Sequence, residues 1–410
     1  MMSRAAWKTV PIKNLYEGLY DGPHATPKPS ELGPVFLGIK NVTDDGCLDL
    51  SDIRHIAEED FQKWTRRVEP RPGDLVFTYE ATLNRYAIIP TGFRGCLGRR
   101  MALIRPDTSK VDVRFLLYYF FTDAWRAIIQ RNMLTGATVD RIPLTTFPEF
   151  PVSLPPLSEQ RRIADILSAY DELIENNQRR IQILETMARA LYREWFVHFR
   201  FPGHEKVQWV ESELGEIPEG WEVKRLRDLL SFNRRTTKPG VHLEGRKYVP
   251  IDCLLSKSLA LLEAKQINEA QSSLQLFDRG DILFGAMRPY FHKVSIPPFD
   301  GVTRTTCFVF RPVRPHWSAF ATMTAFEETT VAYANTHSQG ATIPYAVWDG
   351  SLSEMPLVLP PDSLLQHYET IVTPMIARIS QSYFALGNLK QTRDLLLPRL
   401  LSGQLDLSEN

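Results

Sequence analysis

Basic residues cluster in a few stretches of the chain, and aromatic and hydroxyl residues are interleaved with them. Between Glu80 and Asp107 there is no acidic residue, but this stretch contains Arg85, Arg94, Arg99, Arg100 and Arg105. Residues 288–314 contain Arg288, Lys293, Arg304, Arg311 and Arg314 against Asp300 alone, and residues 224–247 are also rich in Lys and Arg. Such side chains can contact phosphates and reach base edges. The recurrence favours two nucleic-acid-binding surfaces, although a solvated surface is the simpler interpretation for any single arginine.

Motifs of the common catalytic sites do not occur. The sequence contains no GxxxxGKS/T phosphate loop, no HExxH and no GxSxG. An amino-methyltransferase holds its target base with a loop of the pattern Asp/Asn-Pro-Pro-aromatic. The closest match is Ile296-Pro297-Pro298-Phe299, where the Ile296 side chain cannot accept a hydrogen bond from the base. The histidines show no metal-ligand spacing. We therefore predict no catalytic residue and no metal site.

Composition indicates a globular, multi-domain protein. The chain has 410 residues, which predicts two or three domains, and its 48 Lys and Arg balance 48 Asp and Glu. Any basic field must therefore be local. The four cysteines form no CxxC pair, which suits a reducing compartment, and no apolar run is long enough to span a membrane. We predict a cytoplasmic protein without a membrane segment.

The sequence repeats itself once at an offset of about 205 residues. Arg71-Pro72-Gly73-Asp74-Leu75-Val76-Phe77 returns as Asp278-Arg279-Gly280-Asp281-Ile282-Leu283-Phe284. In the same order, Gly136-Ala137-Thr138-Val139 returns as Gly340-Ala341-Thr342-Ile343, and Leu154-Pro155-Pro156 returns as Leu359-Pro360-Pro361. This spacing is too long for a solenoid repeat and indicates the duplication of a domain.

Each copy is predicted to end in a long helix with a heptad seam. Ser158, and Ser363 with Gln366, are the expected N-terminal caps. A lone seam needs a partner, so we expect the helices to pack on each other as an antiparallel coiled coil; packing on the neighbouring domain is the alternative. The seam residues are Ile163, Leu167, Tyr170, Ile174, Asn177, Ile181, Leu184, Ala188, Leu191 and Trp195, then Tyr368, Val372, Met375, Ile379, Ser382, Leu386, Leu389, Arg393, Leu396 and Leu400.

Short apolar runs punctuated by Gly and Pro precede each long helix and predict strands, interrupted by one helix at 113–131 and one at 319–335. The predicted fold is therefore α/β (α+β): two recognition domains separated by two antiparallel helices, with a pseudo-twofold internal repeat. The expected boundaries are 1–156 for the first domain, 157–200 for the central helix, 201–220 for a linker, 221–361 for the second domain and 362–410 for the distal helix and tail.

Several segments resemble the specificity subunits of type I restriction–modification systems. Tyr20-Asp21-Gly22-Pro23-His24-Ala25-Thr26-Pro27, with Ile39-Lys40-Asn41, is similar to the opening of their first target-recognition domain. Pro155-Pro156-Leu157-Ser158-Glu159-Gln160 and Leu397-Pro398-Arg399-Leu400-Leu401-Ser402-Gly403 resemble the start of the central helix and the end of the distal helix. The second Pro-Pro step departs from the pattern, because Pro361 is followed by an extra residue and no Glu precedes Gln366.

The resemblance implies a non-catalytic subunit that reads a split double-stranded DNA target. It implies that each recognition domain reads one half, and that the helix pair sets the gap. Two methyltransferase subunits and the restriction and translocase subunits would be the partners. S-adenosylmethionine, ATP and Mg²⁺ would bind those partners, and no cofactor would bind this chain.

Charge, hydroxyl or amide chemistry and equivalent placement in the repeat select the candidate DNA-binding residues. They are Lys40, Arg85, Tyr86, Arg94, Arg99, Arg100, Thr135 and Thr138 in the first domain, and Arg234, Arg235, Lys238, Arg288, Tyr290, Lys293, Arg304, Gln339 and Thr342 in the second.

Other functions remain open on the residues alone. A free-standing DNA-binding protein would bind DNA tightly without methyltransferase partners. A coiled-coil scaffold would bind no DNA, and charge reversal at Arg99 and Arg100 would then have no effect. A self-contained modification enzyme would bind S-adenosylmethionine by itself.

Overall fold

The computed structural model describes residues 7–136, 139–271, 273–340 and 342–405. Contacts divide the chain into two units, the first made of residues 1–172 and 391–410 and the second of residues 173–390. Both boundaries fall within the long helices, so each unit contains part of each helix.

The first unit is a mixed α/β structure. Its strands are β1 (Lys8–Pro11), β2 (Tyr16–Asp21), β3 (Ser30–Leu37), β4 (Arg54–His55), β5 (Leu75–Thr78), β6 (Tyr86–Ile88), β7 (Gly95–Leu97), β8 (Met101–Pro106) and β9 (Pro151–Leu154). Its helices are α1 (Phe61–Trp64), α2 (Val113–Phe120), α3 (Asp123–Asn132) and the start of α4 (Leu157–Tyr192). The sheets have the orders β2-β8-β5-β6 and β4-β3-β7, and β1 pairs with β9.

The second unit repeats this plan. Its strands are β10 (Trp209–Ser212), β11 (Gly215–Pro218), β12 (Glu222–Arg225), β13 (Leu230–Phe232), β14 (Thr236–Thr237), β15 (Lys247–Tyr248), β16 (Leu274–Phe277), β17 (Ile282–Gly285), β18 (Val294–Ser295), β19 (Gly301–Arg304), β20 (Cys307–Pro312) and β21 (Pro356–Leu359). Its helices are the end of α4, α5 (Leu226–Leu229), α6 (Ser318–Phe326), α7 (Glu328–Thr336) and the start of α8 (Asp362–Leu401). The order β13-β20-β17-β18 matches β2-β8-β5-β6 strand for strand, and β12 pairs with β21 as β1 pairs with β9.

The repeated Gly-Asp pairs form turns that lead into strands, as predicted. Gly73 has φ +88° and Gly280 has φ +85°, a backbone that favours glycine. The carboxylate of Asp74 then accepts hydrogen bonds from the Arg71 amide and from the guanidinium of Arg105, each at 2.8 Å. Asp281 repeats both contacts with Asp278 and Arg311 at 2.7–2.8 Å. Arg105 and Arg311 therefore support the fold.

The two long helices contact each other within each unit. In the second unit, the ring of Tyr368 near the start of α8 lies 5.8 Å from that of Trp195, which follows α4. In the first unit, Leu400 near the end of α8 shares a buried cluster with Ile163 and Leu167 near the start of α4. None of the predicted seam residues is exposed; each is buried or half-buried.

Element boundaries differ from the sequence prediction at several places. The long helices begin at Leu157 and Asp362, so Ser158 and Ser363 lie inside their first turns and are not caps. The helix predicted at 113–131 is two helices, because the Thr122 side chain caps α3 by accepting a hydrogen bond from the Trp125 amide at 3.2 Å. The helix predicted at 319–335 is also two helices, divided at Glu327, where the backbone is extended and the side chain forms no cap. The predicted linker contains the hairpin β10–β11.

Candidate nucleic-acid interface

Carboxylates from other segments already pair with several of the predicted basic residues of the first unit. Lys40 Nζ lies 2.5 Å from Asp52, and Arg100 Nε lies 3.1 Å from Glu80. Arg94 hydrogen-bonds to Glu58, which holds the pKa of that carboxyl below its ordinary range. The absence of acidic residues from 81–106 therefore does not produce a wholly basic surface.

Arg99 has a different environment. It is exposed, and among the described residues no carboxylate lies within ion-pair distance of it. It lines a cavity of about 280 Å³ together with Lys40, Arg54 and Arg100, whose apolar wall includes Phe36. Arg54, on strand β4, was not predicted from the sequence, because nothing in its local pattern signals that the fold brings it to this cavity. An anion such as a phosphate suits this arrangement.

Tyr86 is a core residue, and its prediction as a DNA contact is wrong. Its side chain is 1% exposed, and its hydroxyl oxygen accepts a hydrogen bond from Trp125 Nε1 at 2.9 Å. Burial raises its pKa above the ordinary value. Strand β6 is buried on both faces, because Tyr86 and the following Ala87 lie in different core clusters, and a window of basic composition does not reveal this.

The remaining predicted residues of the first unit are partly described. Arg85 is half-buried and donates from Nη1 to the carbonyl oxygen of Val42 at 3.2 Å. Thr135 is exposed in the loop after α3, and Thr138 lies outside the described residues.

In the second unit, two of the predicted arginines have carboxylate partners. Arg234 contacts both oxygens of Asp349 at 2.5–2.6 Å, and its guanidinium lies 5.0 Å from the centre of the Phe232 ring. Arg235 contacts Asp278 at 2.6 Å. Partial burial would raise the pKa of Asp278, but hydrogen bonds from Arg311 and Arg235 hold it below its ordinary value.

The other predicted residues of this unit are more accessible to a ligand. Lys238, Arg304, Gln339 and Thr342 are exposed, and Arg288 is half-buried. Lys293 donates from Nζ to the carbonyl oxygen of Ile251 at 3.0 Å. In the described part of the chain, no carboxylate forms an ion pair with Arg288 or Arg304.

The fold brings Arg288 and Gln339 into one pair of loops. The Arg288 amide donates to Pro344 O at 2.7 Å, Gln339 and Tyr345 exchange amide–carbonyl bonds at 2.8 Å, and the Ala346 amide donates to Ala286 O at 2.8 Å. Ala81, Leu134, Arg141 and Ile142 repeat these contacts in the first unit: the Ala81 amide donates to Asp140 O at 2.9 Å, and the Ile142 amide to Tyr79 O at 2.8 Å. The duplication therefore extends to hydrogen bonds between loops.

The described residues provide no evidence of a metal or membrane site. Within those ranges, no group of three or more His, Cys, Asp or Glu is arranged to hold a metal ion. None of the helices described there has both the length and the apolar character of a membrane span.

Comparison with known proteins finds similar sequences and a similar fold. Residues 38–186 match the type I restriction modification DNA specificity domain. The chain is 26% identical over 368 residues to the type I restriction enzyme MjaIX specificity subunit of Methanocaldococcus jannaschii, covering 87% of this chain and 83% of that one. It is 24% identical to the EcoDI specificity subunit of Escherichia coli, covering 64% and 62%. The S subunit of a type I restriction-modification system from M. genitalium has the same fold, with a TM-score of 0.58 at 14% identity over 100% of this chain and 99% of that one. The matched family model and the relatives named here are all type I restriction–modification specificity proteins, and this chain is similar to them.

Proposed function

We propose that this chain is the non-catalytic recognition subunit of a type I complex and that it reads a split double-stranded DNA target. One half of the target would be read by the domain in the first unit and the other half by the domain in the second. The duplication carries this proposal: each unit repeats the same sheet order, the same Asp–Arg pair and the same loop-to-loop hydrogen bonds. Two copies of one scaffold with different exposed side chains suit two different half-sites.

The long helices would separate the two half-sites as a pseudo-twofold, antiparallel coiled coil. Their lengths of 36 and 40 residues support this role. Because the helix rises about 1.5 Å per residue, one heptad corresponds to roughly 10 Å, or about three base pairs. The gap between half-sites would then follow from the number of heptads.

Partner subunits would supply the chemistry. Two methyltransferase subunits would carry S-adenosylmethionine, and restriction and translocase subunits would carry ATP and Mg²⁺. On helix α4, Leu173, Ile183 and Met187 are each about half exposed, which supports docking of a partner on this face. The cytoplasm, where host DNA lies, would be the site of action.

Sequencing of modified bases in host DNA, with and without this gene, tests the proposal. Loss of N6-methyladenine from one split motif after deletion is the expected result, and complementation with the gene should restore it. If the methylome is unchanged while the neighbouring methyltransferase subunit is expressed, the proposal is wrong. Tight DNA binding by the chain without that subunit would then indicate a free-standing DNA-binding protein.

A further inference from the structure

The turn between β17 and β18 has an unusual backbone at both ends. Arg288 has φ 51° and ψ 65°, and His292 has φ 49° and ψ 59°. Residues other than glycine rarely adopt this left-handed conformation, because Cβ approaches the following carbonyl oxygen. The matching turn of the first unit, between β5 and β6, also has two such residues, Ala81 at φ 70° and Asn84 at φ 60°. Both copies therefore retain a costly backbone, as is typical of functional loops.

Hydrogen bonds to neighbouring segments fix the turn of the second unit. They run from the Arg288 amide to Pro344 O at 2.7 Å, from Ser256 Oγ to Phe291 O at 2.6 Å, from the Lys257 amide to His292 O at 2.8 Å, and between His292 Nε2 and Phe326 O at 2.8 Å. His292 is buried and anchors one end of the turn. A turn held in this way presents its side chains in one geometry, which lowers the entropy cost of binding.

The two residues at the centre of this turn expose aromatic rings. Tyr290 is 52% exposed and Phe291 is 44% exposed, and their ring centroids lie 4.7 Å apart. Arg288 lies two residues before Tyr290 in the same turn, and no carboxylate of the described residues is ion-paired with it. An exposed aromatic pair beside an unneutralised cation is complementary to a stacked, polyanionic ligand.

We propose that Tyr290 and Phe291 form an aromatic wedge that inserts between two base pairs of the half-site read by the second unit. Arg288 would contact the adjacent phosphate. This inference rests on the proposed function and deepens it. Apolar side chains that insert between base steps unstack and kink the duplex, and pyrimidine–purine steps yield most easily. The wedge would therefore favour a TA or CA/TG step by deformability, without hydrogen bonds to the bases.

The first unit lacks such a wedge. In its turn, Thr82 and Leu83 occupy the central positions, and both are half-buried. The proposal therefore predicts distortion in only one half of the target, which makes the other half an internal control.

The experiment uses the complex reconstituted with its methyltransferase subunits and duplexes that carry 2-aminopurine at each position of the target in turn. Extrusion of the target adenine by the methyltransferase should raise the fluorescence at that base in each half. Apart from those positions, we expect a rise at one step of the second half-site and none in the first. Tyr290→Ser with Phe291→Ser should abolish this rise and weaken specific binding by at least about fivefold per ring. Tyr290→Phe with Phe291→Tyr keeps both rings and should retain both effects.

Val241→Ser is the control, because it removes a 90% exposed apolar side chain elsewhere in the second unit. It should leave the fluorescence unchanged. A complex that methylates its split motif but shows no rise other than at the target adenines would overturn the wedge and leave the proposed function intact. Loss of subunit assembly in the double Ser variant, with fluorescence retained in the residual complex, would assign the rings to a protein contact and also overturn it. A complex that recognises no split target would reject both proposals.

Discussion

Arg94 and Arg99 lie in the same basic stretch, but of the two only Arg94 has a carboxylate partner among the described residues. Arg94 is hydrogen-bonded to Glu58 and packs over the Phe61 ring at 4.4 Å, while Arg99 is exposed and lines the cavity with Arg54. Arg99→Ala should weaken binding to all DNA sequences alike, and should reduce the slope of log affinity against log salt by about one.

The measurement is the salt dependence of binding by the complex, on its target and on unrelated DNA. Arg94→Ala provides the matched control, with little change expected in the slope. Equal effects of the two substitutions would show that ion pairing within the chain does not decide which arginines meet DNA.

At neutral pH, the buried Glu185 decreases the free energy of unfolding. Burial raises the pKa of Glu185. Its Oε1 accepts hydrogen bonds from Ser258 Oγ at 2.7 Å and from the amides of Leu259 and Ala260, which lower the pKa but do not outweigh burial. The folded state therefore holds the proton more tightly than the unfolded state. Stability falls as pH rises from the ordinary value of 4.5 through the raised pKa.

Glu185→Gln removes the charge but keeps an acceptor oxygen. Its melting temperature should match that of the wild type at about pH 4 and exceed it by a few degrees at pH 7. Glu175→Gln is the control, because Glu175 is 70% exposed and pairs with the exposed Arg179. A difference that does not change with pH would contradict the assignment.

At the scale of the element, a charged network occupies one position of the helix seam. Arg393 of α8 donates from Nη1 to Asp171 Oδ1 of α4 at 2.8 Å, and Asp171 Oδ2 accepts a hydrogen bond from the Tyr118 hydroxyl of α2 at 2.5 Å. These contacts explain how the seam accommodates an arginine, because its charge is paired within the first unit.

Removal of the arginine alone should leave the Asp171 carboxylate partly buried without its cation. Arg393→Met should therefore destabilise the protein by about 2 kcal/mol, and adding Asp171→Asn should recover most of the loss, because the amide oxygen still accepts from Tyr118. Thermal unfolding of the single and double variants measures this coupling. Arg179→Met, which removes an exposed pair on α4, should cost no more than about 0.5 kcal/mol. Equal losses for Arg179→Met and Arg393→Met would contradict the prediction.

Helices with a periodic apolar pattern sustained over many residues were predictable from the sequence, whereas contacts between residues distant in sequence were not. The heptad of Ile163 to Trp195 predicted a helix, since many residues reinforce one periodicity. The break at Thr122 was missed because apolar residues continue across it, although a Thr-Asp pair is a capping signal. The pairing of Arg94 with Glu58 and the burial of Tyr86 depend on tertiary contacts, which a local window of charge does not contain.

At the scale of the whole molecule, the proposed spacing role predicts a discrete change in the target. Seven residues inserted after Asn177, and seven more after the seam-equivalent Ser382, should keep the register of the heptads. The gap of the methylated motif should then lengthen by about three base pairs while both half-sites keep their sequences. Sequencing of modified bases in cells that carry the variant gives the gap directly.

The same insertion in the β10–β11 turn at Gly215 should leave the gap unchanged, because that turn lies outside both helices. A methylated motif with the original gap after the helix insertions would show that the helices do not set the spacing.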